Sequence, residues 1–445
     1  MSGRPEPPAM PERNWADNVE FSAARYGRPA SLAELRGLVA DSRRVRVLGA
    51  GHSFSQIGNT TGTLISLAGL PAVVEVDSAG RQVEVSAGLR YGQLAARLHR
   101  HGLALHNLPS LPHVTVAGAC ATATHGSGDG NAGLQAAVAA LEVLGADGEL
   151  RRLSRTGETA DEFAGTVVGL GALGVVTRLW LDVEPTYSVR QYVYDGLAHE
   201  QAVDHVDEIL ASGYSVSLFT RWQPPAPVYQ VWRKLRVSAD SAVDGGATAG
   251  EADGDPGDPA PEFFGATAAP VARHPLPGMT GENCTAQLGR IGPWHERLPH
   301  FRLDFLPSSG AELQSEYLVP RGLARQALAA VAAIGDRVAP VLQVCELRSI
   351  AADECWLSPS YRRDSLGLHF TWVADATAVL PVLAELERRL APLRARPHWA
   401  KLFGTEPAVL AGLYDRYVDF GRLLASRDPR RTFGNAFLDR YFPRP

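Results

Sequence analysis

The sequence predicts an α+β protein of two domains. Three observations carry this reading. The chain has 445 residues, more than one compact core usually organises. Residues 15–185 alternate short apolar runs with Ala- and Leu-rich helical stretches. From Ser188 the runs lengthen and alternate apolar with polar residues, as in an antiparallel sheet covered by helices on one side.

The elements follow in order. Residues 1–13 are rich in Pro and charge, lack an apolar core, and read as a disordered tail rather than a signal peptide. Residues 45–48 form a buried strand entering a glycine turn. Strands are expected over 72–76 and 82–87, the second with strict alternation. Residues 91–101 place Leu94 and Leu98 at helical spacing. Strands over 138–144 and 174–183 close the first domain. The second domain is expected to have strands over 189–194, 215–219 and 366–372, with helices over 198–212, 320–334 and 376–390. Residues 238–261 hold almost no large apolar side chains and read as a flexible surface insert. From residue 403 the pattern turns helical again. The expected division is 14–186 for the first domain, 187–400 for the second, and 401–445 as a return to the first.

Composition narrows the function. A hydrophobic content of 45% suffices for a large core. The net charge of -5 comes with no basic block, which argues against nucleic acid or an anionic membrane as partner. No apolar run reaches the ~18 residues of a membrane span. Four dispersed cysteines make neither a disulfide framework nor, with no His cluster near them, a metal site. A cytoplasmic monomer is the expectation. Basic residues are almost all arginine: the sequence has two lysines, Lys234 and Lys401.

Gly49-Ala50-Gly51-His52-Ser53-Phe54 follows the strand over 45–48. A dinucleotide fingerprint needs glycine at position 54, which is Phe, and the P-loop lysine is absent. The glycines still let a ligand approach the backbone closely. Residues 116–128 contain nothing larger than Val except His125. Such a run either lies as bare backbone along an extended ligand or forms a glycine-rich surface loop. Residues 171–176 add a third small-residue segment beside a strand.

Later segments carry polar groups with strand periodicity. Glu346 and Arg348 share one face, as do Gly367, His369 and Thr371, and Gln314 and Glu316. The shared polar face is either exposed to solvent or suited to a hydroxyl-rich ligand, whose buried OH groups each need a partner. Lys401 is notable in a chain that otherwise uses arginine, because a desolvated lysine can shed its proton and arginine cannot. Lys234 reads as an ordinary surface lysine.

Together these segments resemble the vanillyl-alcohol-oxidase family of flavoproteins, and within it the branch that oxidises alditols of the xylitol and sorbitol type. The carrying residues are 49–54, 108–113, 116–128, Glu346-Leu347-Arg348, His369-Phe370-Thr371-Trp372 and the surroundings of Lys401. The resemblance spans nearly the whole chain; only the insert at 238–261 departs from it. It implies a two-subdomain FAD-binding domain and a cap with an antiparallel sheet flanked by helices. It implies FAD bonded covalently to His52. The cofactor contacts carried over are Val47, Leu48, Gly49, Ala50, Gly51, Ser53, Ser110, Thr115, Gly118, Thr122, Ala123, Thr124, His125, Val175, Val176 and His398. The substrate contacts carried over are Ser110, Gln314, Glu346, Arg348, His369, Thr371 and Lys401, with Arg348, Lys401 and Glu346 catalytic. Pro109 beside the flavin favours oxygen as electron acceptor and hydrogen peroxide as product. The alternative within the broader family is oxidation of an aldonolactone.

Overall fold

The computed structural model describes residues 10–77, 79–224, 227–237, 259–305 and 311–444. Three short parallel strands carry the first glycine loop: Thr63–Ile65 lies between Arg25–Gly27 and Val45–Val47. Val45, Leu64 and Ile65 are completely buried, as a parallel sheet covered on both faces requires. The helix Leu32–Ala40 is capped by Ser31, whose hydroxyl accepts from the Glu34 amide, and it buries Leu35 and Val39.

A second sheet is antiparallel and has five strands. Its order is Val74–Val76, Gln82–Ser86, Val175–Asp182, Val138–Leu144 and Leu150–Ser154. The helix Tyr91–Arg100 buries Leu94 and Leu98, as their spacing predicts. Residues 116–128 differ from expectation at their start. Val116–Ala121 is a helix, and only from Thr122 does the run become irregular, with Ala123 at φ 57. Alanine-rich sequence favours helix, and the glycines obscured that preference.

The largest sheet has ten strands and pairs antiparallel throughout. Its main path runs Glu262–Phe263, Ala266–Ala268, Ser188–Ala198, Val228–Val237, Ser215–Thr220, Leu342–Ile350, Ser365–Val373, Glu312–Pro320 and Arg396–Pro397. The strand Gly292–Pro293 pairs with Ser188–Ala198 off that path. The helix Ala376–Leu390 has its expected bounds. The helix expected over 198–212 is broken at His205 into His199–Asp204 and Val206–Ala211. The one expected over 320–334 opens as a tight turn and becomes α-helix at Ala324–Ala332.

Two main apolar cores result. One gathers residues from Leu35 to Val189 with Trp399, Phe420, Phe433 and Phe442. The other lies under the large sheet and includes Leu218, Leu347, Phe370 and Leu386. The last stretch of chain binds the first glycine loop's support: Val45 N–H donates to Thr432 O at 2.7 Å. The Asn435 amide donates to the carbonyls of Gln56, Ile57 and Asn59. Arg46 is buried and donates to the carbonyls of Ile57, Leu170, Gly171 and Phe433 at 2.6–2.9 Å.

The expected insert lies outside the described residues except for 259–261. The expected tail is partly structured: Met10 packs on the cluster of Val19, Phe21 and Leu64, and Arg13 bridges to Glu20.

Candidate active site

A cavity of about 480 Å³ lies between the glycine loops and the polar face of the large sheet. Its glycine-loop wall is built from residues 46–55, 109–111, 114–125 in part, and 170–176 in part. Only glycine fits at position 49: a Cβ there would stand 2.4 Å from the Thr115 hydroxyl. Gly51 has φ 71, a backbone conformation other residues adopt with strain. The two loops therefore approach each other closely and leave bare backbone along the cavity.

Of the cofactor contacts expected from sequence, all but Ala123 and Val175 line this cavity. Those two are buried in the first core instead. Val175 opens a strand, so it points opposite to Val176, which does reach the wall. Ala123 turns inward at its left-handed φ.

His52 stands at the wall with its ring 4.6 Å from that of Trp15. Its nitrogens have no hydrogen-bond partner among the described residues. Burial, helped by the positive surroundings of His113, Lys401 and Arg90, lowers its pKa to about 4. The imidazole is therefore neutral and nucleophilic at ordinary pH.

The opposite wall is a ladder of polar side chains. His369 stands directly across from Glu346 on one neighbouring strand and from Glu316 on the other. Gln314 pairs in register with Thr371, and Arg348 with Gly367. The alternation expected from sequence thus places all of these on one face, and that face is buried rather than exposed.

Glu316 is the hub, and sequence reasoning passed over it. Its carboxylate accepts from Arg348 Nη2 at 2.7 Å, lies 3.1 Å from His125 Nε2, and lies 3.8 Å from Lys401 Nζ. Burial alone would raise its pKa. His125 and Arg348 outweigh that and hold it well below the usual carboxylate range. Pairing with Gln314 on one face was the available signal, but spacing alone does not identify a hub.

Arg348 also reaches Ser110: its Nη1 donates to Oγ at 3.3 Å. Its Nε lies 3.6 Å from Glu346 Oε2. Burial would lower the guanidinium pKa, yet Glu346 and Glu316 raise it, so Arg348 stays charged. Glu346 is held well below its usual range, chiefly by Arg348 and His300 against the cost of burial.

Lys401 donates to Gln314 Oε1 at 2.5 Å and to His369 Nε2 at 3.0 Å. Its backbone is fixed by the bond from its amide to His398 O, while Leu402 N–H donates to Gln314 O. Burial pulls its ammonium down to about 8, with Glu316 opposing the shift. His369 is lowered to about 4 by burial and by Lys401, so it accepts from the lysine as a neutral ring.

Lys234 corrects the sequence reading. It is no surface residue but 1% exposed, with its Nζ bonded to Leu298 O, Pro299 O and His300 Nδ1. His300 in turn bonds Glu346 and lines the cavity. Neither residue carries a motif; the strand Val228–Val237 brings Lys234 to the site and the 298–300 loop brings His300.

The comparisons with known proteins agree with this geometry. Residues 23–154 match the FAD binding domain family, and residues 311–441 match the D-arabinono-1,4-lactone oxidase family. An alditol oxidase from a Streptomyces species is 48% identical over 428 residues, covering 96% of this chain and 97% of that protein. The chain belongs to the alditol oxidase family. An L-gulono-1,4-lactone dehydrogenase of Mycobacterium tuberculosis is 27% identical across 96% of this chain and 98% of its own. Cholesterol oxidase from B. sterolicum has the same fold, with a TM-score of 0.73 over the whole of both chains at 14% identity.

FAD suits the cavity described above. The close approach of the Gly49 and Thr115 loops leaves bare backbone for an extended cofactor, and the unpartnered His52 ring faces its path. Among the described residues no group of His, Cys, Asp and Glu could hold a metal ion, and no helix is long and apolar enough to cross a membrane.

Proposed function

We propose that the chain oxidises the terminal hydroxyl of an alditol of the xylitol or sorbitol type to the aldehyde, giving the aldose, with oxygen reduced to hydrogen peroxide. The observation that carries this is the buried polar ladder facing the glycine loops. It offers Glu346, Arg348, Gln314, His369, Thr371 and Lys401 to one hydroxyl-rich ligand. The glycine loops would hold FAD, which when bound would supply the hydride-accepting chemistry and its reoxidation by oxygen. His52 is the residue that holds it covalently in this reading.

The chain's own residues do the rest. Lys401, as the neutral amine, accepts the hydroxyl proton. Arg348, always charged, stabilises the alkoxide character that develops on that oxygen. Glu316 orients the Arg348 guanidinium and the Lys401 amine. Glu346, Gln314, His369, Thr371 and Ser110 hold the remaining hydroxyls and align the reacting carbon. Burial of the ladder excludes water and strengthens each of these contacts. Pro109 lines the cavity wall, and in this reading it leaves oxygen access to the reduced cofactor.

Several relatives are named for lactone substrates, and residues 311–441 match a lactone oxidase family. Turnover on xylitol and on gulonolactone, each followed by peroxide release, separates the two readings. Higher kcat/KM on xylitol is expected; the reverse order would replace an alditol by a lactone. The covalent bond is tested by acid precipitation of the parent and of His52→Ala. Yellow colour should stay with the parent's pellet and leave that of the variant. Colour released from the parent removes the linkage.

A further inference from the structure

Lys234 and His300 lie outside the mechanism above, yet both are buried behind it. Lys234 sits on the strand Val228–Val237, and no salt bridge to it exists among the described residues. Its Nζ meets three acceptors: Leu298 O at 2.5 Å, Pro299 O at 3.4 Å and His300 Nδ1 at 3.1 Å. Glu346 is held ionised and can only accept, so the ring nitrogen facing it carries the proton and Nδ1 of His300 faces Lys234 as the acceptor. A neutral imidazole then carries its proton on Nε2, which lies 2.7 Å from Glu346 Oε1.

The same short loop also holds Ser110. The amides of His300 and Phe301 donate to Ser110 O at 3.1 and 3.4 Å. The Thr285 hydroxyl steadies the loop by donating to Pro299 O at 2.7 Å. With Oε1 of Glu346 taken by His300, Oε2 is the oxygen that faces Arg348 and His369, each at 3.6 Å.

We infer that Lys234 and His300 are positioning residues for polyol recognition. Lys234 anchors the Nδ1 side of the His300 ring, and His300 turns the Glu346 carboxylate so that Oε2 accepts a substrate hydroxyl. Arginine does not replace Lys234 here, because its planar fork cannot converge three donors from one nitrogen. The inference rests on the proposed alditol reading.

The test compares His300→Leu, His300→Gln and Lys234→Met with the parent, per flavin-loaded site, using xylitol. Glutamine can reproduce the relay, since its amide donates to Glu346 while its oxygen accepts from Lys234. Leucine cannot. Expected is a rise in KM of about tenfold or more for His300→Leu, with kcat within about threefold, the signature of lost ground-state binding. His300→Gln should stay within about threefold of the parent KM. Lys234→Met should raise KM in the same way as His300→Leu. A KM for His300→Leu or Lys234→Met within about twofold of the parent overturns the inference, as does a His300→Gln no better than His300→Leu. Only a positioning role moves KM apart from kcat and is rescued by glutamine; a loss of folding lowers the flavin-loaded fraction instead. A parent that turns over no alditol sinks the functional proposal beneath it.

Discussion

Lys401 sits where its charge is disputed. Burial and Arg348 favour the neutral amine, while Glu316 favours the ammonium, and the balance falls at about 8. A base must be neutral to accept a proton. The rate should therefore rise with pH and level off above about 8. A kcat/KM profile flat from pH 6 to 9 would remove Lys401 as the base. Lys401→Met should lower kcat by about a hundredfold or more, with a smaller effect on KM. Glu316→Gln gives a sharper check. Removing its negative charge removes the influence that raises the Lys401 pKa, so the acidic limb should move to lower pH. Activity should also fall, because Arg348 loses the partner 2.7 Å from its Nη2. A limb that stays in place would show that another group titrates.

At the scale of elements, the site depends on one loop being able to touch another. The strand Val45–Val47 delivers Gly49 against the Thr115 cap of the helix Val116–Ala121. Gly49→Ala places a methyl 2.4 Å from the Thr115 hydroxyl. The variant should purify with less bound FAD, measured by the ratio of flavin to protein absorbance. Adding Thr115→Ala removes the clashing hydroxyl and should restore part of the loading, a coupling expected only of residues in contact. Equal loading in parent and Gly49→Ala would mean the loops part without cost. The sheet strands contribute differently. Period-two alternation brings Gln314 and Glu316, Glu346 and Arg348, and His369 and Thr371 to one face, and hydrogen-bonded register sets them side by side.

The whole molecule is closed by its own end. Arg46 links the support of the first glycine loop to Leu170, Gly171 and Phe433. Removing it leaves several buried carbonyls without a donor. Arg46→Met should cost at least about 3 kcal/mol of stability, at about 1 kcal/mol or more per orphaned carbonyl, read as a lower denaturation midpoint. A midpoint equal to the parent's would show that water or neighbouring groups satisfy those carbonyls.

What the sequence determined by itself is whatever depends on short-range pattern. Alternation placed five strands of the large sheet, among them the three that share the polar face, but not Val228–Val237. Helical spacing placed Tyr91–Arg100 and Ala376–Leu390. Phe at position 54 and the absent P-loop lysine excluded the common nucleotide loops, and the resemblance of the small-residue segments pointed to FAD. The tertiary structure decided what depends on neighbours distant in the chain. Glu316 is a hub because His125, Arg348 and Lys401 converge on it from three separate segments. Lys234 is buried because the 298–300 loop covers its strand, and nothing around it in sequence announces that cover. Ala123 and Val175 turn away from the cavity because backbone direction, not residue type, sets where a small side chain points. Periodicity states which residues share a face. Charge, protonation and partnership are properties of the space that face encloses, and folding alone assembles it.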